Sequence, residues 1–316
     1  MPTIKIPSKK DVVEAHNRIK PYIHHTPVLT SETFNRQFST RFFFKCENFQ
    51  KVGAFKSRGA VNAVFSLSES DAQHGVATHS SGNHAQALAR AAALRGIKAY
   101  IVMPDNAPSV KVDAVKGYGG IITFCKPTLQ ARETTLNEVV KKTGACEIHP
   151  YDKFEIVCGQ ATGAKELLED IPNLDIILAP VGGGGLLAGT AMAAKYFGNQ
   201  TKVIACEPAG ADDAFRSFNA GRIIPSVNPQ TIADGLLTSL GVLNFEIIKN
   251  EVADIVTVSE KSIKQAMKLI WERMKIIIEP SSAVPFAAVL ENKVDVKNKN
   301  VGIIISGGNV DLKAFL

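Results

Sequence analysis

Five short segments carry residue types that could do chemistry. In AFKSRGAVNAVFSL, Lys56 follows the aromatic Phe55 and precedes Ser57 to Leu67, a stretch that can form a helix. A lysine in such a place either keeps its charge at the cost of desolvation or loses it and becomes a nucleophilic amine. On residue type alone, Lys51 and Lys45 compete for that role, and a plain surface lysine is the alternative. In THSSGNHAQALARAAA, Gly82 permits an unusual turn, and the alanine-rich segment after it would present its first unpaired amides there. With the Ser80, Ser81 and Asn83 side chains, those donors suit a carboxylate or a phosphate; a simple Ser/Asn helix cap is the other use.

The third segment, IILAPVGGGGLLAGTAMAA, joins an apolar strand to an apolar helix through Gly182, Gly183, Gly184 and Gly185. Four glycines lose more conformational entropy than an ordinary turn requires. What offsets that loss is close backbone approach to an anion at a helix N-terminus. The loop lacks the G-K-[ST] ending of an ATP-binding P-loop and shows no clear acidic ribose partner of a dinucleotide site, so a phosphate cradle of another kind is expected, with tight strand-helix packing the other use. In VGIIISGGNVD, Ser306 ends an apolar strand, where its hydroxyl could meet a ring nitrogen or serve an ordinary turn. In ACEPAGADDAF, Glu207 follows a strand and Asp213 can return near it. Two carboxylates and an intervening carbonyl suit magnesium or calcium, whereas Asp212 could simply cap the next helix.

The elements that must position these residues follow an alternating pattern. Short β-branched runs precede helical segments in GVATHS then HAQALARAAALRG, in KAYIVM then SVKVDAVKGYG, and in DIILAPV then LLAGTAMAAKYFG. Strand-then-helix units predict parallel sheet with helices on both faces. Gly96 is expected to end one helix in a left-handed turn, and Pro104 to close the strand that follows. The chemistry-bearing segments flank the stretch from about 75 to 150. This predicts a small domain over 75–150, a large cofactor-binding domain from 1–74 and 151–316, and a ligand cleft between them.

With 316 residues, 45% of them hydrophobic, the chain can bury a sizeable core. No apolar run approaches the roughly 18 residues of a bilayer span, and the N-terminal segment has no apolar signal stretch. The basic surplus, 36 against 30, is spread along the chain, which argues against nucleic-acid tracking. Cys46, Cys125, Cys146, Cys158 and Cys206 form no C-x-x-C pair and suit free thiols in a cytoplasmic protein.

Taken in order, NFQKVGAFKSRGA, HSSGNHAQAL, GGGGLLAGT, TIADG and IIISGGN resemble the fold type II family of pyridoxal-phosphate enzymes, the tryptophan synthase β-like fold, over nearly the whole chain. Within it the chain resembles the branch of serine racemases and serine/threonine and 3-hydroxyaspartate dehydratases. The resemblance implies two open twisted sheets covered by helices, with the cofactor in the interdomain cleft. It implies interconversion of L- and D-serine with accompanying elimination to pyruvate and ammonia, or predominant dehydration of 3-hydroxyaspartate, serine or threonine.

Carried over residue by residue, it makes Lys56 the covalent carrier of the cofactor, with Phe55 against the ring, Asn83 at the 3-hydroxyl and Ser306 at the pyridine nitrogen. Gly182, Gly183, Gly184, Gly185 and Leu186 would hold the phosphate. Ser81 would face Lys56 across the substrate, while Ser80, Gly82, Asn83 and His84 hold its carboxylate. Glu207, the Ala211 carbonyl and Asp213 would bind magnesium or calcium. Arg132, in QARETT, is a candidate for a second substrate carboxylate or an ordinary helix-surface residue. The resemblance also implies a homodimer and, in some members, ATP as an effector near Lys51. Val52 departs from the polar residue of ATP-responsive members. The chain ends soon after ISGGNVD, so the regulatory domain of some threonine dehydratases is not expected.

Overall fold

The computed structural model describes residues 4–107 and 109–314. Ten strands form two sheets: β1 Val28–Leu29, β2 Arg41–Cys46, β3 Val76–His79, β4 Ala99–Pro104, β5 Ile121–Cys125, β6 Cys146–Glu147, β7 Ile176–Pro180, β8 Lys202–Pro208, β9 Asp254–Val258 and β10 Asn300–Ile305. The larger sheet has the order β1-β2-β10-β7-β8-β9 and the smaller one β5-β4-β3-β6. Every neighbouring pair is parallel except β1 with β2, so the larger sheet is mixed at one edge.

Burial explains the apolar runs. All five residues of β7 are buried, as a central parallel strand covered on both faces requires. Along β10, Ile304 joins one core cluster while Ile303 and Ile305 join another, so successive side chains serve opposite faces of the sheet. In the smaller sheet, Val76 and Ile101 face one cluster and Ala77 and Val102 another. Its four strands all fall between residues 76 and 147, and the strands of the larger sheet lie on either side in sequence.

The expected punctuation is in place. Gly96 ends the helix Asn83–Arg95 in the left-handed region at φ 72°, and Pro104 is the last residue of β4. Chain crossovers bring the carboxyl ends of β3, β7 and β10 out into the Ser80–Gly82, Gly182–Gly184 and Ser306–Asn309 loops. No described helix is long and apolar enough to cross a membrane.

Candidate active site

Lys56 is the first residue of the helix Lys56–Phe65, whose N-terminus carries no side-chain cap. Local anchors hold it: the Phe55 amide donates to the Ser306 carbonyl at 2.9 Å, and the Ser57 hydroxyl donates to the Lys51 carbonyl at 2.7 Å. The half-buried Lys56 points its Nζ at the Pro150 carbonyl, 2.7 Å away, and 5.2 Å from the centre of the Phe55 ring. A carbonyl and a ring replace less solvation than water would supply. Desolvation therefore pulls the amine down to about 8, against a partial upward pull from Glu279. Of the competing lysines, Lys45 is fully buried and ion-paired to Glu166, while Lys51 opens a short turn in which Val52 sits at φ 57°.

The glycine loop is a set of free donors. Gly184 sits at φ 90°, a conformation that favours glycine, and the helix Gly185–Phe197 starts directly after it without a side-chain cap. Among the described residues, the amides of Gly182, Gly183, Gly184, Gly185 and Leu186 donate to nothing; Ala188 makes the first helical bond back to Gly184. The loop is shaped from behind. A methyl group on Gly183 would lie 2.4 Å from the Tyr151 ring, and the buried Asn244 donates to the Gly183 carbonyl at 2.7 Å. Unpartnered amides at a helix N-terminus, backed by packed side chains, fit a phosphate group.

The second loop is similar. Gly82 is the N-cap of the helix Asn83–Arg95, and no serine side chain caps it, so the simple-cap alternative does not hold. Ser80 Oγ accepts from the Gly82 amide at 3.3 Å, while the amides of Ser81, Asn83 and His84 have no acceptor among the described residues. The half-buried Asn83 donates to both oxygens of Glu279 at 3.1 Å and accepts from Asn309 Nδ2 at 2.9 Å. Asn309 also donates to the Val52 carbonyl, tying this loop to the segment before Lys56. His84 is buried with Nε2 3.2 Å from the Ile148 carbonyl. Desolvation and then the charge of Lys56 hold it well below the usual histidine range, so the ring is neutral.

Ser306 is buried, 2.9 Å from the Ser282 hydroxyl, which also bonds to the backbone of Gly307. Glu279, at the N-cap of the helix Pro280–Leu290, is buried, and desolvation raises its carboxyl to about 7. Arg132, on the helix Leu129–Thr143, is half-buried with Nε unpartnered. It lies close enough to His79 to lower that residue's proton affinity, though less than burial does.

Glu207 departs from the expected picture of a free metal ligand. Its carboxylate accepts the Ala214 and Phe215 amides at 2.9 and 2.8 Å, so it closes the N-terminus of the helix Asp213–Ala220. Asp212, the expected alternative cap, instead pairs with Arg216. Asp213 lies beside Glu207 with both oxygens buried and unpartnered, and Ala211 is buried in the same turn. Desolvation raises Glu207 to about 8 and Asp213 to about 6. No group of three or more His, Cys, Asp or Glu side chains with metal-site geometry occurs among the described residues.

The residues that the sequence reading missed are supports: Tyr151, Asn244, Glu279, Ser282 and Asn309. Only Glu279 left a clear signal, an acid inside the apolar run IIIEP, where burial needs a reason.

Parallel sheets meeting at loops that present a desolvated lysine and an amide cradle define an α/β enzyme built to bind a phosphorylated cofactor. Residues 19–307 match the family described as "Pyridoxal-phosphate dependent enzyme", and the chain belongs to that family. It is 53% identical over 310 residues to a serine racemase of Dictyostelium discoideum, covering 97% of this chain and 96% of that protein. It is 51% identical over 307 residues to a β-hydroxyaspartate dehydratase of Paracoccus denitrificans, covering 97% and 98%. A solved structure of maize serine racemase superposes with a TM-score of 0.96 at 44% identity, covering 98% of this chain and 96% of that one.

Proposed function

We propose that this enzyme interconverts L-serine and D-serine and, on the same site, eliminates water from serine to an enamine, whose hydrolysis takes the water back up and gives pyruvate and ammonia. The observation that carries this reading is a pair of proton-handling groups on separate elements, Lys56 as the first residue of one helix and Ser81 in the loop before another. Asn83, Glu279 and Asn309 link the loops that hold them. The similarity to serine racemases supports it.

Lys56 would carry pyridoxal phosphate, with Gly182 to Leu186 on its phosphate, Asn83 on its ring hydroxyl, Phe55 on its face and Ser306 on its nitrogen. The free amides, the buried Ser306 hydroxyl and the lowered amine fit that group. The cofactor supplies a sink for the electron pair left when the substrate Cα loses its proton. The amides of Ser81, Asn83 and His84 would hold the substrate carboxylate, and a neutral His84 adds no charge there. Lys56 would take the Cα proton; in the ligand-free protein desolvation already lowers this amine to about 8, which suits a base near neutral pH. Ser81 delivers a proton to the opposite face, which inverts the centre. When the β-hydroxyl is protonated and leaves instead, elimination results.

Dehydration of 3-hydroxyaspartate is a second reading, favoured by the 51% identity to the Paracoccus enzyme and by the unpartnered Arg132 Nε, which suits a second carboxylate. Magnesium or calcium would sit on Glu207, Asp213 and the Ala211 carbonyl, where burial raises two neighbouring carboxyls. Residues 75–150 would act as a small domain that closes on the rest, in a homodimeric enzyme whose five free cysteines suit a cytoplasmic setting.

The test is a time course with L-serine that resolves D-serine and pyruvate in the same samples. D-serine from the outset is expected. Ser81→Ala should lose D-serine formation by about a hundredfold or more while keeping pyruvate. Pyruvate alone from the wild-type enzyme would reject racemisation, and faster turnover of hydroxyaspartate would install the second reading. Lys56→Ala should abolish the visible absorption of the bound cofactor.

A further inference from the structure

Two residues beyond Lys56, the side chain of Arg58 enters a buried cluster that the proposed reaction does not use. Arg58 donates to Glu47 through Nε at 2.7 Å and Nη2 at 2.8 Å, and to Glu166 through Nη1 at 2.8 Å and Nη2 at 2.7 Å. Lys45 Nζ donates to Glu166 at 2.8 Å, and the Thr26 hydroxyl donates to Glu47 at 2.6 Å. Lys45 and Arg58 are 0% exposed and Glu47 and Glu166 1%. Two cations and two anions balance. Burial alone would raise Glu166, but Arg58 and Lys45 hold it at about 2, so it stays ionised.

Such a cluster needs a reason other than stability, because a buried ion pair is often no more stabilising than well-packed apolar residues of the same volume. The reason lies in what surrounds it. The helix Phe154–Asp170 runs between the Lys56 helix and the glycine-loop helix Gly185–Phe197, and each contact includes a point where the backbones come close. A methyl group on Gly159 would fall 2.6 Å from Gly59 Cα, and one on Gly189 would fall 2.6 Å from the Ala161 amide nitrogen. The side chains that share the second contact, among them Val157, Ala161, Leu187 and Ala191, are small or aliphatic, and apolar packing of this kind tolerates modest shifts. Directional bonds single out one register at the first contact, between the Lys56 helix and the helix Phe154–Asp170: the two-pronged Arg58–Glu166 pair and the Gly59 amide to Gln160 Oε1 at 3.1 Å. The cluster also reaches the site wall, since Phe55 and Leu186 border the same internal space as Lys45, Glu47 and Arg58.

We propose that Arg58, with Glu47, Glu166 and Lys45, is a positioning cluster that sets the register of the Lys56 helix on the helix Phe154–Asp170, against which the cradle helix packs, and so places the Lys56 amine relative to the phosphate cradle. It acts through Lys56 and touches no reacting atom. The inference rests on Lys56 being the cofactor-carrying lysine, and the experiment separates the two claims.

Full-length protein stripped of cofactor is titrated with two probes. Pyridoxal 5'-phosphate has an aldehyde that condenses with the Lys56 amine, forming a C=N bond and releasing water. Pyridoxine 5'-phosphate has an alcohol there and can only occupy the cradle. In the wild type, pyridoxal phosphate should bind more tightly and produce a visible band; with no band, the assignment of Lys56 fails first. Arg58→Met should weaken pyridoxal phosphate about tenfold or more beyond its effect on pyridoxine phosphate, because a misplaced amine loses covalent capture while the cradle persists. Arg58→Lys should recover part of that difference. A wild-type band with equal losses for both probes, or with no loss, overturns the positioning role. If Arg58→Met does not fold, as circular dichroism would show, the milder Glu166→Gln carries the same comparison with the same two outcomes.

Discussion

Glu279 and Lys56 illustrate how one residue sets another's chemistry without touching it. Glu279 is raised to about 7 by burial, so its ionised fraction changes across neutral pH, and ionised Glu279 raises the proton affinity of Lys56. Glu279→Gln removes that negative charge and keeps one acceptor for Asn83. In the cofactor-free variant, Lys56 should therefore titrate lower than in the wild type, as measured by the pH dependence of its chemical labelling. An unchanged or higher midpoint would remove Glu279 from the amine's environment. At this scale the sequence was legible where chemistry and a local pattern coincide, as at Lys56 in AFKSRG or Asn83 in SSGNH. Glu279 and Asn309 stayed hidden because their partners, Asn83 and Val52, are far away in sequence, and only the crossover of the two sheets brings them together.

Among the elements, the glycine loop shows which part of a motif can be read in advance. Four consecutive glycines between an apolar strand and helix point to close backbone approach to a ligand, and the amides of Gly182 to Leu186 are free to donate to one. What the loop packs against is not local information. Gly183 is glycine because the Tyr151 ring occupies the place of a side chain, and Tyr151 comes from the segment that also supplies the Pro150 carbonyl to Lys56. Gly183→Ala must move either that ring or the loop, at a cost of about 1–3 kcal/mol. Expected outcomes are a lower melting temperature and weaker binding of both pyridoxal and pyridoxine phosphates, since the cradle itself is displaced. Full phosphate affinity in this variant would mean that the loop does not form the cradle. The acidic turn taught the opposite lesson. Glu207 and Asp213 were legible as a pair, but Glu207 capping the helix was not, because Asp212 stands in the sequence position that normally caps.

For the whole molecule, buried groups raised and lowered in proton affinity decide how stability follows pH. Glu207, Asp213 and Glu279 lie at about 8, 6 and 7, against ordinary values near 4, so the folded cofactor-free, metal-free protein binds their protons more tightly than the unfolded chain does. Their contribution is complete in acid and is lost as pH rises through those values. His149 runs the other way: burial lowers it to about 4, so its contribution is present above its ordinary value of 6.5 and is lost as pH falls through 4. Above about pH 6.5 the histidine contribution is nearly constant; Lys56, lowered to about 8, opposes the carboxyls only as pH nears 8, so the carboxyls dominate the slope below that. The melting temperature of the cofactor-free, metal-free protein should therefore fall between pH 6.5 and 8. A divalent cation on Glu207 and Asp213 favours their ionised forms and competes with protons, so magnesium or calcium should raise the melting temperature more at pH 8 than at pH 6. A flat or rising profile without metal would remove the raised carboxyls from the account. Equal gains at both pH values, or gains that persist in Asp213→Asn, would move the cation away from this turn.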